Sequence, residues 1–433
     1  MANGRNDYVS IEAGGERFDT WTEYSVEGDL LTPADAFSLS VEVGGVQRDM
    51  RGLVSNMREL LAAGSAVRLY VGRDVTGAQP ERALQLNGIV DERGVSASRT
   101  GGTTFAVRGR DLASHLTDSS VALDVLGSGE ATLLSVVRAA VLPWGIEVIT
   151  DGTAGRDILT GRAATVSPDA QQIAEARAFG IPPGAYSRIL RRRAERAQRA
   201  ADGGNASTRS RTASSNGLAP GDVERLLVKD AKPKPGETVW AFLQRHVARF
   251  GLLLWLDPRG KLVVSAPRYN TAPIARLVRR YVNDPNDPNT ILSGGGSSNA
   301  ADRVSSVTVY GRTRGDDVAR SAISHTETDE TWGQTYPRPF ILHDPSVRTV
   351  DEAQRRARRE LRMRSVNARV LDYDVVDHGQ GAYLYAVDSI MTVEDEVEGA
   401  TGAWYCTSRT FTGSRGNGTT TKLRLVPPGS LVL

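Results

Sequence analysis

Strict alternation of apolar and polar residues most constrains what this chain can fold into. Phe37, Leu39, Val41 and Val43 are separated by Ser38, Ser40 and Glu42. A period of two puts the apolar side chains on one face of a strand and leaves the other face to solvent. Val67-Leu69-Val71, Leu84-Leu86 running into Ile89-Val90, and Phe105-Val107 read the same way, with turns at Gly72, Gly88, Gly94 and Gly101-Gly102. In front of them, Tyr8 to Glu12, the turn Ala13-Gly14-Gly15 and a segment through Phe18 and Trp21 read as a hairpin. Arg51 to Ala63 reads as a short helix ended by Gly64. Many short half-buried strands punctuated by glycine predict a small barrel or sandwich.

The stretch Thr104 to Val121, TFAVRGRDLASHLTDSSV, closes this module. Phe105, Val107 and Gly109 share one strand face, and Asp111 is placed to cap a short helix carrying Leu112 and Leu116. Helical spacing follows in Leu133, Val136, Val137, Ala140 and Val141, stopped by Pro143 before a strand at Ile146 to Ile149. A similar unit recurs where Val239, Phe242, Leu243, Val247 and Phe250 line a helix ended by Gly251. Leu252 to Leu256 and Leu262 to Ser265 then flank the turn Asp257-Pro258-Arg259-Gly260.

Between the two units, residues 161–222 set ten arginines against five acidic residues, and their second half, ADGGNASTRSRTASSNGLAPGD, has little to bury. This reads as a basic, partly flexible insertion. Strand character returns at Val304 to Tyr310, Leu371-Tyr373-Val375, Met391-Val393, Trp404 to Cys406, Phe411 and Leu423-Leu425. It is interrupted by Thr349-Val350-Asp351-Glu352, a capping box, and by a basic helix with the stripe Ala353, Ala357 and Leu361. The expected fold class is α+β and β-rich. Two similar small β-barrel modules, residues 1–118 and 301–433 with a helical insertion at about 349–365, flank a mixed α/β middle domain over 119–300.

The chemistry-bearing residues are sparse. The 53 basic residues nearly balance 51 acidic ones, so the chain lacks the overall basic bias of a nucleic-acid binder. Its single cysteine, Cys406, excludes an intramolecular disulfide framework and an all-cysteine metal site. Histidines 115, 246, 325, 343 and 378 share no metal-ligand spacing. His115 and His246 read as structural residues on helix faces, while His378, beside Asp377 in a glycine-rich turn, is the suggestive one.

Glu394-Asp395-Glu396 could hold a cation or serve hydrolysis, although a solvated hairpin tip accounts for it. Asp284, Asn286, Asp287 and Asn289 alternate with Pro285 and Pro288 and read as turn residues. Neither a Gly-x-Ser-x-Gly elbow nor a phosphate-binding loop occurs. No catalytic, cofactor-binding or metal-binding residue is therefore assigned. Arg191, Arg192, Arg193, Arg196 and Arg199 are the candidate partner contacts, with a solvated insertion as the competing reading. The N-terminus MANGRNDYVSIE has no basic-then-apolar leader, and the longest strongly apolar run, Phe250 to Leu256, falls well short of a bilayer span. No signal peptide and no membrane anchor are expected.

Four segments together carry a family likeness: VSIEAGGERFDTWTEYSVEGDL, TFAVRGRDLASHLTDSS, GETVWAFLQRHVARFGLLLWLDPRGKLVV, and AVDSIMTVEDEVEGATGAWYCTSRTFTGSRGNGTTTKLRLVPPGS. In their order and spacing the chain resembles the baseplate hub proteins of Mu-like contractile-tailed phages, within the wider group of tail hubs of phages, tailocins and related injection systems. The resemblance implies a homotrimeric ring in which each chain gives two barrels, so that threefold symmetry becomes pseudo-sixfold. Such a ring joins the sixfold tail tube to a threefold central spike. The implied partners are the chain itself, the tube protein, the spike protein and other baseplate components, with no cofactor, no enzymatic activity and no specific nucleic-acid binding. The implied location is the tail baseplate of a virion, after synthesis and assembly in the host bacterial cytoplasm. Residues 161–222 depart from what such hubs carry. Two other readings are a glycan- or nucleic-acid-binding module working through the arginines at 191–199, and a cell-wall hydrolase fused to a hub scaffold with His378 or Glu394 in its site.

Overall fold

The computed structural model describes residues 6–43, 56–74, 81–98, 102–121, 131–150, 227–228, 231–301, 303–311, 323–329, 336–345, 347–366, 368–381, 383–414 and 418–431. The alternating segments of the first module are strands. β1 (Asn6–Ala13) and β2 (Glu16–Phe18) form the expected hairpin, and β3 (Glu23–Asp29), β4 (Ala36–Val43), β5 (Ala66–Asp74), β6 (Glu81–Ser98) and β7 (Gly102–Asp111) follow. Ile11, Leu39, Leu69, Phe105 and Val107 point into the core and are almost inaccessible, as period-two patterning requires of a sheet wetted on one face. Residues 56–60 are helical, Met57 and Leu61 are buried, and Gly64 leaves the segment at φ 86°, where glycine avoids a Cβ clash.

β7 runs into α1 (Ala113–Asp118), which opens the middle domain. There β8 (Ala131–Thr132), α2 (Leu133–Val141), β9 (Val148–Ile149), β10 (Leu227–Val228), α3 (Val239–Val247), β11 (Leu253–Leu256) and β12 (Leu262–Ser265) are found. Both helices start on a threonine cap: Ser135 N donates to Thr132 Oγ1 and Ala241 N to Thr238 Oγ1, each at 3.2 Å. Leu133, Val137, Phe242, Leu243 and Leu262 share one core with Leu116 of α1. β9 joins β12 in parallel, so the two helix-then-strand units complete a single small sheet.

The second β-module comprises β13 (Ala275–Arg279) and β14 (Ile291–Ser298), then, beyond a subdomain, β18 (Arg369–Val376), β19 (Gly379–Gln380), β20 (Tyr383–Leu384), β21 (Ser389–Asp395), β22 (Ala400–Ser414) and β23 (Gly418–Val426). The subdomain holds β15 (Ser306–Tyr310), β16 (Ser324–Thr328), β17 (Pro339–His343) and α4 (Val350–Val366).

The sheet of the later strands draws on both sides of residue 301. β13 and β14, which precede it, pair with strands of the second module, whereas β15 pairs, among the described residues, with β16 and β17. The cause is the apolar stripe of α4. Ala353, Ala357 and Leu361 cover Val307 and Val309, with Phe340 and Leu342 packed alongside, so the helix has a sheet of its own to seal. Of its expected capping box the threonine half forms, with Glu352 N donating to Thr349 Oγ1 at 3.2 Å, while Glu352 Oε2 accepts from Arg348 N, one residue before the cap, at 2.7 Å.

The modules meet in one 13-stranded sheet of order β14-β18-β23-β22-β3-β4-β7-β6-β5-β1-β2, with β21 on β22 and β13 on β21. Among the described residues this sheet is open and does not close into two barrels. Its order nevertheless repeats: β3-β4-β7-β6-β5-β1 in the first module answers to β14-β18-β23-β22-β21-β13 in the second. Every matched pairing is antiparallel in both, except that β1 runs antiparallel to β5 while β13 runs parallel to β21. Among the described residues no helix is long and apolar enough to cross a membrane.

Candidate assembly site at the module seam

The two halves of the sheet are joined by β3 and β22, antiparallel from Glu23 opposite Ser414 to Asp29 opposite Ser408. Val26 and Phe411 face each other across this joint, and both are fully buried. His378 lies behind them, also fully buried. Its backbone N–H donates to Asp7 Oδ2 at 2.7 Å, Nε2 lies 2.7 Å from the Tyr24 hydroxyl, and Nδ1 lies 3.2 Å from Thr421 Oγ1. Thr421 spends its own proton on Asp377 O at 2.6 Å. It therefore accepts from Nδ1–H, which leaves Nε2 to accept from Tyr24. Burial first, and then Asp7, raise the pKa of Tyr24 far above the usual phenol range, so the hydroxyl keeps the proton it donates. The imidazole packs on Phe411 and Tyr24 with ring centroids 4.7 and 5.7 Å away. With both ring nitrogens engaged and no accessible surface, His378 ties β1, β3 and β23 together and cannot reach a substrate.

Arg409 of β22 is the second clasp. Its Nη2 donates to Gln85 Oε1 of β6 at 2.8 Å, Nη1 reaches Val26 O at 3.4 Å, and the guanidinium stands 4.1 Å from the Phe411 ring centroid. Gly28 makes room for it, since a Cβ there would lie 3.2 Å from the guanidinium carbon.

Beside this clasp, a cavity of about 40 Å³ lies among the two modules and the β11–β12 turn, lined by Asp35, Asp111, Asp257, Arg268, Asp388 and Arg409. It has room for little more than water. Asp388 is fixed there by Arg268, whose Nε donates to Oδ2 at 2.5 Å, and by the Tyr405 hydroxyl, which donates to Oδ1 at 2.6 Å. Asp35 Oδ1 accepts from Asp29 N at 2.8 Å, and burial pushes its carboxyl up to about 7. Burial, then the charge of Asp35, raise Asp111 well above the usual carboxylate range.

Asp111 does not occupy the cap position expected for it, which falls to Leu112. It stands one residue earlier and still accepts from Ala113 N at 3.0 Å, because β7 pairing holds its backbone in the sheet until that residue. Leu116 docks α1 into the middle core as expected, with Leu112 half-buried at its margin.

Arg191, Arg192, Arg193, Arg196 and Arg199, with the rest of the expected insertion, lie outside the described residues. His246 is fully buried against Phe242, but not as the satisfied histidine expected, since among the described residues neither of its ring nitrogens has a hydrogen-bond partner. Glu394-Asp395-Glu396 is not a merely solvated tip. Asp395 ends β21 fully buried, bound to Arg279 at 2.6 Å and to the Tyr373 hydroxyl at 2.6 Å, while accepting from Val397 N and Glu398 N to shape the turn. Glu394 pairs with Arg276, and Glu396 Oε2 accepts from Tyr281 N at 3.0 Å. The Asn283–Asn289 loop is turn chemistry, with Asp287 held by Arg276 and Arg280. Cys406 is buried, and burial pushes its thiol up to about 12.

Tyr24, Gln85 and Arg409 were invisible as site residues in the sequence. Tyr24 and His378 stand 354 positions apart, and Gln85 and Arg409 stand 324 apart. No local spacing records such a meeting.

Residues 8–111, which run from β1 to the last residue of β7, match the family Mu phage baseplate assembly protein GpP-like, N-terminal. The first module is thus similar to the GpP-like N-terminal family. The matched stretch ends where the sheet gives way to α1. The fold as a whole has structural relatives of full length. A tail protein from Neisseria meningitidis MC58 is 21% identical with a TM-score of 0.68, over 99% of this chain and 98% of that one. The 43 kDa tail protein of prophage MuSo2 from Shewanella oneidensis is 18% identical with a TM-score of 0.65, over 98% and 99%. Prophage tail protein gp18 from Listeria monocytogenes EGD-e is 8% identical with a TM-score of 0.50, over 97% and 94%. At these identities the likeness is one of fold. No curated protein matches the sequence.

Proposed function

We propose that the chain is a structural baseplate hub of a contractile phage tail or a related injection system. It forms a homotrimeric ring of pseudo-sixfold symmetry that joins the sixfold tail tube to the threefold central spike, and it works without catalysis or cofactor. The observation that carries this reading is the repeated strand order, two copies of one β-design fused edge to edge at β3 and β22. A chain holding two equivalent modules presents six of them in a trimer, and so matches sixfold symmetry on one face and threefold symmetry on the other. The GpP-like family of the first module and the tail-protein fold of the whole support it. In this reading each module is the barrel-like unit of the ring, completed by its neighbours. The clasps at His378 and Arg409 hold two such units at a fixed angle, and the chain resides in the virion baseplate after assembly in the host cytoplasm.

Light scattering of the purified chain at micromolar concentration should give three times the monomer mass, and electron micrographs should show a ring with six lobes. Co-expression with neighbouring tube and spike genes should yield a complex containing all three. A monomer that binds neither protein would sink the proposal.

A further inference from the structure

The hairpins β6–β7 and β22–β23 correspond residue for residue. Each long strand carries one extra residue, Asp91 between Val90 and Glu92 and Thr407 between Cys406 and Ser408. Beyond it, Glu92 opposite Arg108 answers to Ser408 opposite Arg424, and Ser98 opposite Gly102 answers to Ser414 opposite Gly418. The offset is constant, so Val95 stands where Phe411 stands. On their outer side the first halves of both strands are occupied alike, β6 by β5 and β22 by β21. The second halves differ. Ser408 to Ser414 hold β3, whereas Glu92 to Ala97 have no strand on that side among the described residues and are all exposed. Phe411 is sealed under Val26, while Val95 is left 42% exposed.

The counterpart of β3 is β14, and among the described residues it too has a paired strand on one side only, with Arg279 Nη1 donating to Gly294 O at 2.7 Å. Gly294 opposite Tyr373 answers to Tyr24 opposite Leu39, and Gly296 opposite Leu371 answers to Val26 opposite Phe37. β14 forms the outer edge of the sheet. Its segment Ser293 to Ser298 reads SGGGSS, without the charge, proline or bulky side chain by which proteins guard an open edge against pairing.

We infer that β14 of one copy adds antiparallel to the second half of β6 of the next copy, in the register that β3 and β22 display within one chain. This sets Gly296 opposite Val95 and Gly295 opposite Ser96. The two edges are unlike, so the contact is head to tail and repeats around a closed ring. Each junction between copies then reproduces the junction inside a copy, and Val95 gains the cover that Phe411 already has. The inference rests on the ring proposed above and names the surfaces that build it.

Paired cysteines in the full-length chain test it, since the one native thiol, Cys406, is buried. One variant carries Val95→Cys with Gly296→Cys, the other Ser96→Cys with Gly295→Cys. Neighbouring antiparallel pairs alternate between wide and narrow, so one of the two suits a disulfide. Neither glycine has a positive φ, and the atom a Cβ at Gly296 would meet first is the mobile end of Glu398. On oxidation, one double variant should run as a covalent trimer on a denaturing gel without reductant. Its two single variants, and Val95→Cys with Ser298→Cys, should stay monomeric on that gel. A wild-type trimer by light scattering in which neither double variant cross-links overturns the strand pairing and leaves the ring standing. A wild-type monomer overturns both, and covalent species closing at another number keep the pairing and overturn the trimer.

Discussion

His246 is sealed against Phe242 on the buried face of α3, and burial, followed by Arg245 and Arg249, lowers its pKa to about 4. The unfolded chain takes up this proton near the ordinary value of 6.5 and the folded chain only near 4, so stability is lost as pH falls through that window. His246→Phe should remove this loss, worth on the order of 3 kcal/mol at its fullest, and flatten the acid limb of a denaturation series. Asp35 works with the opposite sign. The folded state keeps its proton up to about pH 7 while the unfolded chain releases it near 3.8, so stability falls as pH rises between those values. Asp35→Asn keeps the acceptor for Asp29 N and should raise the melting temperature at pH 8 by several degrees, with little change at pH 5. The histidine was legible in the sequence because a helical apolar face announces what it buries. The carboxylate pair was not, because Asp35 meets Asp111 only once β4 has paired with β7.

Gly109 shows what a strand face can hide. It read as one more inward position of β7, and it is inward, but a Cβ there would lie 2.1 Å from Ile89 O and 2.6 Å from the Phe37 ring. Gly109→Ala should cost about 2–3 kcal/mol in denaturant, since backbone and ring must both give way. Thr349→Ala should cost about 1 kcal/mol by orphaning the Glu352 amide, and amide exchange should fray α4 from that end first. The strands, the apolar faces of α2 and α3, the Thr349 cap and the stripe of α4 were readable because their signals are periodic or three residues long. Which sheet a strand joins was not readable. β15 alternates like its neighbours, yet it was claimed by Ala353, Ala357 and Leu361, far down the chain.

At the scale of the molecule, the joint between β3 and β22 makes the two modules one unit. His378→Ala would strip Tyr24 and Thr421 of a shared partner and leave a hole beside Phe411. It should cost about 2–4 kcal/mol, and exchange at the amides of β3 and β22 should quicken together. If only one of the two strands quickened, the seam would not be the shared fastening described here. That the chain holds two β-modules was legible from alternation that ceases and then returns. That they share one sheet was not, because the joint is made by strands hundreds of positions apart, and nothing near either of them names the other.

The unequal side chains of the two matched edges carry a mechanical consequence. β3 brings Tyr24 and Val26 to its joint and is tied to β22 by the chain itself, whereas β14 brings three glycines. A ring assembled from both would alternate stiff joints with soft ones. It would flex, admit a spike, and come apart at every second seam, never at the ones that peptide bonds already span.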